Sequence, residues 1–584
     1  MLLSHVISPA QEVTLRVNAS ARIGRMEVVA DADGLTGRVG SAAVLELADR
    51  LGLTAGLSVA LAGRTRRRSR VDGGAVVRDL VVMLVDGGDA LTDLGVLRDQ
   101  PDLFGHVCSD ATAARVIDAI GADELEAIRA ARAAARARAW QLGARPERVV
   151  LDIDASLVTS HSEKEGAAPT YKRGFGFHPM LCFLAETREA PAAILRPGNA
   201  GSNTALDKIC VLTEALRQLP DAVLARATAP DAREAERILV RCDAAGATHD
   251  LLDGCRKLGV RFSVGFPIEM PLRAAILKLK PWRWRAAVEA DGRRRLGAWV
   301  AELPRRDLPA GWPPGSRLLV RRERPHPGAQ LAFTDHEGHR FQLVLTDQPG
   351  DPRDLELVHR ARGDAENRVR AAKDCGMRNL PFKAFRHNEV WLELVLCALD
   401  LIAWTQALLL DGALQTAEPK KLRYRLLHVA GQISRHARRL SLHIPPPGPG
   451  TTTSSTPPDA STGSPRSPCH SRTRRRPQPQ EQKQPAPTAL PGKRPQPLEP
   501  GARARRPTPK RPTTTPRTRS SHTTTPKPTL TPPAEESGLA RPARDARVPD
   551  MNPDMNPDMN PDMNPDMSRR SPCRMELPER AGLG

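Results

Sequence analysis

The sequence predicts an α/β protein with a mainly helical N-terminal domain and a disordered C-terminal tail. Residues 1–145 are dominated by helical patterns, residues 146–442 alternate between strand and helix patterns, and residues 443–584 are rich in Pro, Thr, Ser and Arg. A segment with the composition of residues 443–584 buries too little apolar surface to offset the entropy lost when it becomes ordered. We therefore expect two folded parts followed by an unfolded tail.

The N-terminal part reads as a set of helices beside basic clusters. Apolar periodicity predicts helices at residues 41–61, 75–84, 109–120 and 124–142, with arginine clusters at residues 64–70 and 129–138. A formal net charge of +20 favours a polyanionic partner, although part of that charge lies in the tail. The arginine clusters fit either a polyanion-binding surface or the codon bias of an arginine-rich protein. The helical domain fits either DNA recognition or simple structural support.

The second part has the element order of a mixed α/β core. Buried strands are predicted in the runs VVLDIDASLV, HPMLCFLAE, PAAILRPGN, ILVRCD and RFSVGFPI, with helices at residues 203–219 and 248–258. Three strands followed by helix, strand, helix and strand is the order of a ribonuclease-H-like fold. A β-rich insertion at about residues 268–350 comes next, then a charged helix, an apolar helix at 389–410 and a basic helix at 419–442.

Two of the predicted strands end in an aspartate. Asp154 lies near the end of the first strand, and Asp243 directly follows the fourth. A carboxylate on a buried strand is costly unless it is paired or binds a metal, and active sites of open α/β sheets gather at the carboxyl ends of strands. Taken singly, Asp154 could instead be a solvated turn residue and Asp243 a helix-entry residue.

A third acid lies in a charged stripe on the predicted helix. At about 100° per residue, Arg362, Glu366 and Lys373 share one helical face, with His359 at its edge. A helical glutamate taken alone is often a surface residue. Two strand-end aspartates together with this stripe are, however, hard to assemble by accident. Three carboxylates with flanking cations suit two Mg²⁺ ions that promote in-line displacement at a phosphate, with Mn²⁺ as a plausible substitute.

Four ordered segments resemble a known family. VVLDIDASLVTSHSEKEGAAPTYKRGFGFHP, LRPGNAGSNTA, LVRCDAAGATHDLL and RARGDAENRVRAAKDCGMRNLPFKAF closely resemble bacterial insertion-sequence transposases of the DDE superfamily, in particular the IS-thirteen-eighty type. The resemblance implies that Asp154, Asp243 and Glu366 are the catalytic and metal-binding acids. It also implies a Tyr-x2-Arg-x3-Glu-x6-Lys signature, matched by Arg362, Glu366 and Lys373.

The chain departs from that signature at one position. His359 stands where the family has tyrosine, which puts any hairpin intermediate in doubt but leaves the acids intact and still allows a phosphate contact. The loop at residues 159–178 follows the first acid directly. We predict that its Lys172 and Arg173 contact the DNA of the transposon end, although the same pattern fits an exposed hairpin turn.

The resemblance implies a cut-and-paste DNA transposase. Its partners would be double-stranded DNA, both terminal inverted repeats and target DNA, and a second copy of the chain in a homodimer. Two other functions stay open: a catalytically decayed repressor that binds element ends, and a host ribonuclease-H-like nuclease.

Cysteine usage and hydropathy bear on the cellular location. Nine cysteines without a C-x2-C pair are typical of buried thiols in a reducing cytosol. No secretory segment or uncharged membrane-length run is evident, so we expect a cytoplasmic, nucleoid-associated protein with no membrane partner. Met-Asn-Pro-Asp repeats at residues 551–566 suggest that the tail is an added or out-of-frame extension.

Overall fold

The computed structural model of the protein describes residues 34–63, 71–201, 204–326, 328–330, 335–436 and 439–444. All of these residues belong to one compact unit, Met1–Pro458. The basic cluster at residues 64–70 and the tail from residue 445 onward lie outside the described residues.

The N-terminal region is mainly helical, as the sequence predicts. The predicted helix at residues 41–61 is divided, because Gly52 adopts a left-handed φ of 78°. Asp72 caps the next helix by accepting hydrogen bonds from the backbone N–H groups of Gly74 and Ala75. The elements of this region are β1 (Leu35–Thr36), α1 (Val39–Arg50), α2 (Leu53–Leu61), α3 (Gly73–Asp86), α4 (Gly95–Arg98), α5 (Pro101–Phe104), α6 (Asp110–Ala119) and α7 (Ala122–Ala139).

The predicted strands and helices of the α/β core are present in the predicted order. Thr248 caps α10 as expected, its hydroxyl accepting a hydrogen bond from the backbone N–H of Leu251. The elements are β2 (Val150–Ala155), β3 (Val158–Thr159), β4 (Ala168–Pro169), β5 (Phe175–Phe177), β6 (Met180–Leu184), β7 (Ala192–Ile194), α8 (Ala205–Arg217), α9 (Asp221–Thr228), β8 (Leu239–Cys242), α10 (His249–Lys257) and β9 (Arg261–Phe266).

The β-rich insertion extends the same sheet. After α11 (Met270–Leu277) come β10 (Arg285–Val288), β11 (Arg294–Glu302), β12 (Arg317–Glu323) and β13 (Arg340–Thr346). The strand order across the sheet is β10-β11-β12-β13-β9-β8-β2-β6-β7. The pairs β2–β8 and β8–β9 are parallel, whereas β2–β6, β6–β7 and the insertion strands pair antiparallel. A separate small sheet, β3-β5-β4, forms beside the end of β2.

The C-terminal helices fill the centre of the fold. They are α12 (Pro352–Arg360), α13 (Ala365–Ala372), α14 (Phe385–Leu409) and α15 (Pro419–Leu422). Helix α14 is long and apolar enough to cross a membrane, with a mean hydropathy of 1.7, but 83% of its most apolar window is buried within the fold. It contributes both Trp391 and Trp404 to one hydrophobic core that also includes residues of the N-terminal helices and the central sheet.

The basic cluster at residues 129–138 is largely internal, so of the two alternatives a polyanion-binding surface does not apply to its central members. Arg132 and Arg136 on α7 are fully buried. Both pair with the buried carboxylate of Asp400 on α14, and Arg136 also pairs with Glu189 at 3.0 Å. Buried arginines of this kind need fixed partners, and here those partners join α7 to α14 and to the turn before β7.

The prediction of a closing helix at residues 419–442 is wrong. After α15 and a π-helical turn, Arg423–Leu427, the chain forms the hairpin β14 (Gly431–His436) and β15 (Arg439–His443). Strand β14 pairs with β1 from the other end of the unit. Gly431 permits this close approach, because a Cβ there would lie 2.5 Å from a methyl group of Val39.

Candidate active site

The two strand-end aspartates come to the same edge of the sheet. In the parallel pair β2–β8, Asp152 lies opposite Arg241. Asp154 lies two residues beyond Asp152 on β2, and Asp243 directly follows the end of β8. The carboxyl ends of parallel strands meet at one edge of a sheet, which is where binding sites of open α/β sheets lie.

Asp243 is held at the start of a short turn. Its Oδ1 accepts a hydrogen bond of 3.1 Å from the backbone N–H of Ala245, while the side chain stays exposed. The buried Lys208 on α8 supports the same turn by donating from Nζ to the carbonyl oxygen of Ala245 at 2.6 Å. Gly246 must be glycine here, since a Cβ would lie 2.3 Å from the Cβ of Cys242.

The predicted stripe does not lie on one regular α-helix. His359 is in the last turn of α12, Arg362 is in a 3₁₀ segment, Ala361–Asp364, and Glu366 is in the first turn of α13. Lys373 begins a π-helical turn that ends α13. Glycines within these segments, Gly363 and Gly376, have low helix propensity and accommodate the changes in winding.

Arg362 connects this segment to the strand-end acids. One guanidinium N–H group of Arg362 lies 3.3 Å from Oδ1 of Asp154, and the two side chains are 18% and 20% exposed. The Nε–H of Arg362 is buried and has no hydrogen-bond partner among the described residues. Arg362 thus keeps a free donor beside an acid, the arrangement needed to hold a further oxygen ligand.

The three acids interact electrostatically. Burial raises the pKa of Asp154; the Arg362 guanidinium opposes that rise, and the carboxylates of Asp243 and Glu366 both add to it. Like charges influence one another in this way only when they are near. The charges of Asp243 and Glu366 thus act on Asp154, although the three acids are 89 and 123 residues apart along the chain.

These three carboxylates have the chemistry of a divalent-cation site. Oxygen donors of this kind suit Mg²⁺ or Mn²⁺, and a bound cation would offset the repulsion between their negative charges. Among residues described by the structure, no group of three acidic, histidine or cysteine side chains is packed tightly enough to coordinate an ion. Arg362 instead supplies the positive charge next to Asp154.

His359 is half-buried behind the acids. Its Nδ1 lies 3.0 Å from the hydroxyl of Ser263 on β9. Burial, together with the nearby charge of Arg362, lowers the pKa of His359 to about 3. The ring is therefore neutral at physiological pH, and any contact with a phosphate would use a neutral N–H donor.

Two anchoring arginines were missed by the sequence analysis. Arg241 on β8 forms an ion pair with Asp152 and donates to the carbonyl oxygen of Val358 in α12. Arg368 on α13 donates to the carbonyl oxygen of Leu184 at the end of β6, at 2.5 Å. Both arginines are buried and fix the helices relative to the strands. The sequence could have indicated Arg241, because an arginine within a predicted buried strand needs a charged partner.

Lys172 and Lys373 are close enough for their charges to interact. Lys172, Arg173 and Tyr171 are exposed at the tip of the β4–β5 hairpin, where Arg173 adopts a φ of 60°. Burial lowers the pKa of Lys373, and the charges of Arg378 and Lys172 lower it further. No acidic partner of Lys373 is found among the described residues, so this cationic group is not neutralised by the fold.

Arg196 and two histidines near the core strands have structural partners. Arg196 is buried, and it donates to the carbonyl oxygen of His178 and pairs with Asp207 at 3.0 Å. His178 and His249 each contact a backbone carbonyl oxygen, of Ala200 and Gly311.

Comparisons with known proteins identify the family. No curated protein matches the chain. A cryo-EM structure of a piggyBac transposase synaptic complex with hairpin DNA matches with 10% identity and a TM-score of 0.34, over 68% of this chain and 82% of that chain. A likeness this weak supports no inference about this chain. The family model for the transposase DDE domain, group 1, matches residues 20–453. The chain therefore belongs to the group 1 DDE-domain transposases, enzymes that transfer phosphoryl groups in nucleic acid.

Proposed function

We propose that the protein is a cut-and-paste transposase that cleaves DNA at the ends of an insertion sequence of the IS-thirteen-eighty type and joins the freed 3′ ends to target DNA. The observation that carries the proposal is the ion pair between Arg362 and Asp154, an aspartate whose pKa is also raised by the charges of Asp243 and Glu366. These residues come from two strands and one helix, and each matches an acid or cation of the family motif.

The order of the core strands supports a ribonuclease-H-like catalytic domain. Strands β7-β6-β2-β8-β9 run in the sheet order third, second, first, fourth, fifth, with the first three antiparallel and the last two parallel to the first. In this arrangement the first and fourth strands are parallel neighbours, which supports a shared site for Asp154 and Asp243 at their carboxyl ends. The proposed catalytic domain spans residues 146–442, after a DNA-end-binding domain at 1–145.

Each acid would bind a divalent cation, Mg²⁺ or Mn²⁺, as transposases of this domain generally require. When bound, a pair of such ions supplies activation of the attacking hydroxyl and stabilisation of the leaving oxygen. Asp154 and Asp243 present their oxygens from a rigid strand edge, and Glu366 presents its own from α13. Arg362 would turn from Asp154 toward the phosphate. Its Nε–H, which has no hydrogen-bond partner among the described residues, would then donate to a phosphate oxygen.

The cations around the acids would position DNA. Lys373, Lys172 and Arg173 would neutralise backbone phosphates on the hairpin side, and His359 would give a neutral hydrogen bond near the cleaved end. The terminal inverted repeats and the target are the proposed double-stranded DNA partners, with two copies of the chain acting together. A cytoplasmic, nucleoid-associated location follows from these partners.

A nicking assay on element-end DNA tests the proposal. Wild-type protein with Mg²⁺ should nick the end, and Asp154→Ala, Asp243→Ala and Glu366→Ala should each bind the same DNA without nicking it. Asp250→Ala, an exposed acid on α10, is the matched control and should cut normally. Binding without nicking by the wild type would instead indicate a repressor, and cleavage of RNA–DNA hybrids would indicate a host nuclease.

A further inference from the structure

The insertion carries a basic and aromatic segment that the proposed chemistry does not use. Residues 278–285, with the sequence KLKPWRWR, join α11 to β10. Trp282 is 77% exposed, an unusual state for so large an apolar side chain. Lys278, Lys280 and Arg283 are exposed too and form no ion pair within the described part of the chain. We name these four residues the basic arm.

A stacked arginine lies next to the basic arm on the insertion strands. The guanidinium of Arg322 on β12 sits 4.3 Å from the ring centre of Trp284 and 4.9 Å from that of Trp299. The Nε–H of Arg322 is buried and has no hydrogen-bond partner among the described residues. An arginine whose guanidinium contacts two indoles is fixed in place, and Arg322 forms no ion pair with an acid among the described residues.

This surface is separate from the three acids. Arg285 at the start of β10 pairs with Asp351 at the N-terminus of α12, at 2.9 Å. The chain from Asp351 to Glu366 is almost wholly helical and spans roughly 20 Å at 1.5 Å per residue. A ligand held by the basic arm would therefore be contacted away from the scissile phosphate.

The charges and rings of the basic arm favour nucleic acid as the ligand. Three unpaired cations would repel the same surface of a second copy of the chain, but they attract a polyanion. An exposed indole between cations provides a flat surface on which an unpaired base can stack, whatever the sequence. The Trp284–Arg322–Trp299 stack adds a fixed donor beside it.

We propose that the basic arm and the adjacent stack form a second DNA-binding surface, which holds a length of DNA away from the cleaved phosphate and stacks one unpaired base on Trp282. The choice of DNA as ligand rests on the proposed function. The surface itself rests on residues of the insertion alone, so the two can fail separately.

This proposal is tested by measuring how tightly the full-length chain binds fluorescent 30-nucleotide DNA, both single-stranded and duplex. The measurements are made without divalent metal, and every protein carries Asp154→Ala. A triple variant, Lys278→Gln, Lys280→Gln and Arg283→Gln, should reduce the magnitude of the salt-dependence slope by about 2–3, as expected for three lost phosphate contacts. Trp282→Ala should weaken single-stranded binding about 5-fold or more and leave duplex binding less affected, while Trp282→Phe should restore most of it.

The matched control removes three exposed cations that lie outside the insertion and outside residues 1–145, with Arg217→Gln, Arg233→Gln and Lys257→Gln. An equal loss of affinity in this control overturns the proposal, as does an unchanged salt slope in the basic-arm variant. The proposal is also overturned if Trp282 serves mainly to bind anionic lipid vesicles or RNA. It is overturned as well if the basic-arm variants lose self-association in sedimentation but keep their DNA affinity. End nicking by wild-type protein, measured in parallel with Mg²⁺, reports on the proposed function independently.

Discussion

Arg241 and Asp152 form a doubly hydrogen-bonded ion pair inside the central sheet, with N–O distances of 2.6 and 2.7 Å. The same guanidinium donates to the carbonyl oxygen of Val358 in α12. One buried group therefore fixes the strand that carries Asp154, the strand that precedes Asp243 and the helix that leads to Arg362. The relative position of the three acids depends on a pair that touches none of them.

Removal of Asp152 should strongly destabilise the fold. Asp152→Ala leaves the Arg241 charge buried and unpaired, which costs about 3–5 kcal/mol in the free energy of unfolding. The double variant Asp152→Leu with Arg241→Met keeps the volume without the charges and should recover most of that stability, yet nick poorly, because α12 loses its anchor. Urea denaturation measures the first effect, and a loss below about 1 kcal/mol would contradict this role.

The buried Asp79 on α3 should make stability depend on pH. Burial raises the pKa of Asp79 to about 6 from 3.8, against the opposing charge of Arg78. Between these values the folded state binds more protons than the unfolded chain, so the free energy of unfolding falls as pH rises from about 4 to 6. Asp79→Asn should flatten this dependence and gain roughly 1–3 kcal/mol over wild type at neutral pH. Urea denaturation of both proteins at pH 4 and at pH 7.5 tests this prediction. If the free energy of unfolding changes equally between the two pH values in wild type and in Asp79→Asn, the prediction is wrong.

Lys373 should matter for DNA cleavage and not for folding. It is half-buried, lacks an acidic partner in the described structure and lies near Lys172 and Arg378. Lys373→Met should therefore keep the free energy of unfolding within about 1 kcal/mol of wild type or raise it. Nicking should fall on the order of 10²-fold, as when a group that stabilises transition-state charge is removed. Loss of stability with normal nicking per folded molecule would show a structural role instead.

Most of the core could be predicted from local pattern, because buried strands and α14 are continuous apolar runs. The aspartates were recognisable as charges at the ends of such runs. Arg132 and Arg136 were not, since their partners Glu189 and Asp400 lie 53 to 268 residues away and only the fold joins them. The hairpin β14–β15 was missed for a similar reason: its pairing with β1 is a contact between the two ends of the unit.

Deletion of the tail should leave the folded unit unchanged. A chain that stops after Leu442 loses only His443 and Ile444 among the described residues, and β15 would keep most of its pairing with β14. The melting temperature should stay within about 2–4 °C of that of the full chain, as expected for a change of no more than about 1 kcal/mol. Differential scanning calorimetry of both chains measures this. A larger drop would show that the tail packs on the fold.

The most direct measurement of the central claim is metal-specific rescue at Asp154. A thiolate is a softer ligand than a carboxylate and binds Mg²⁺ poorly, whereas Mn²⁺ accepts it more readily. If Asp154 holds a cation during cleavage, Asp154→Cys should fail to nick element-end DNA with Mg²⁺ and regain measurable nicking with Mn²⁺, while Asp154→Ala stays inactive with both. Equal activity of Asp154→Cys and wild type with Mg²⁺, or wild-type nicking in the presence of excess chelator, would contradict the account.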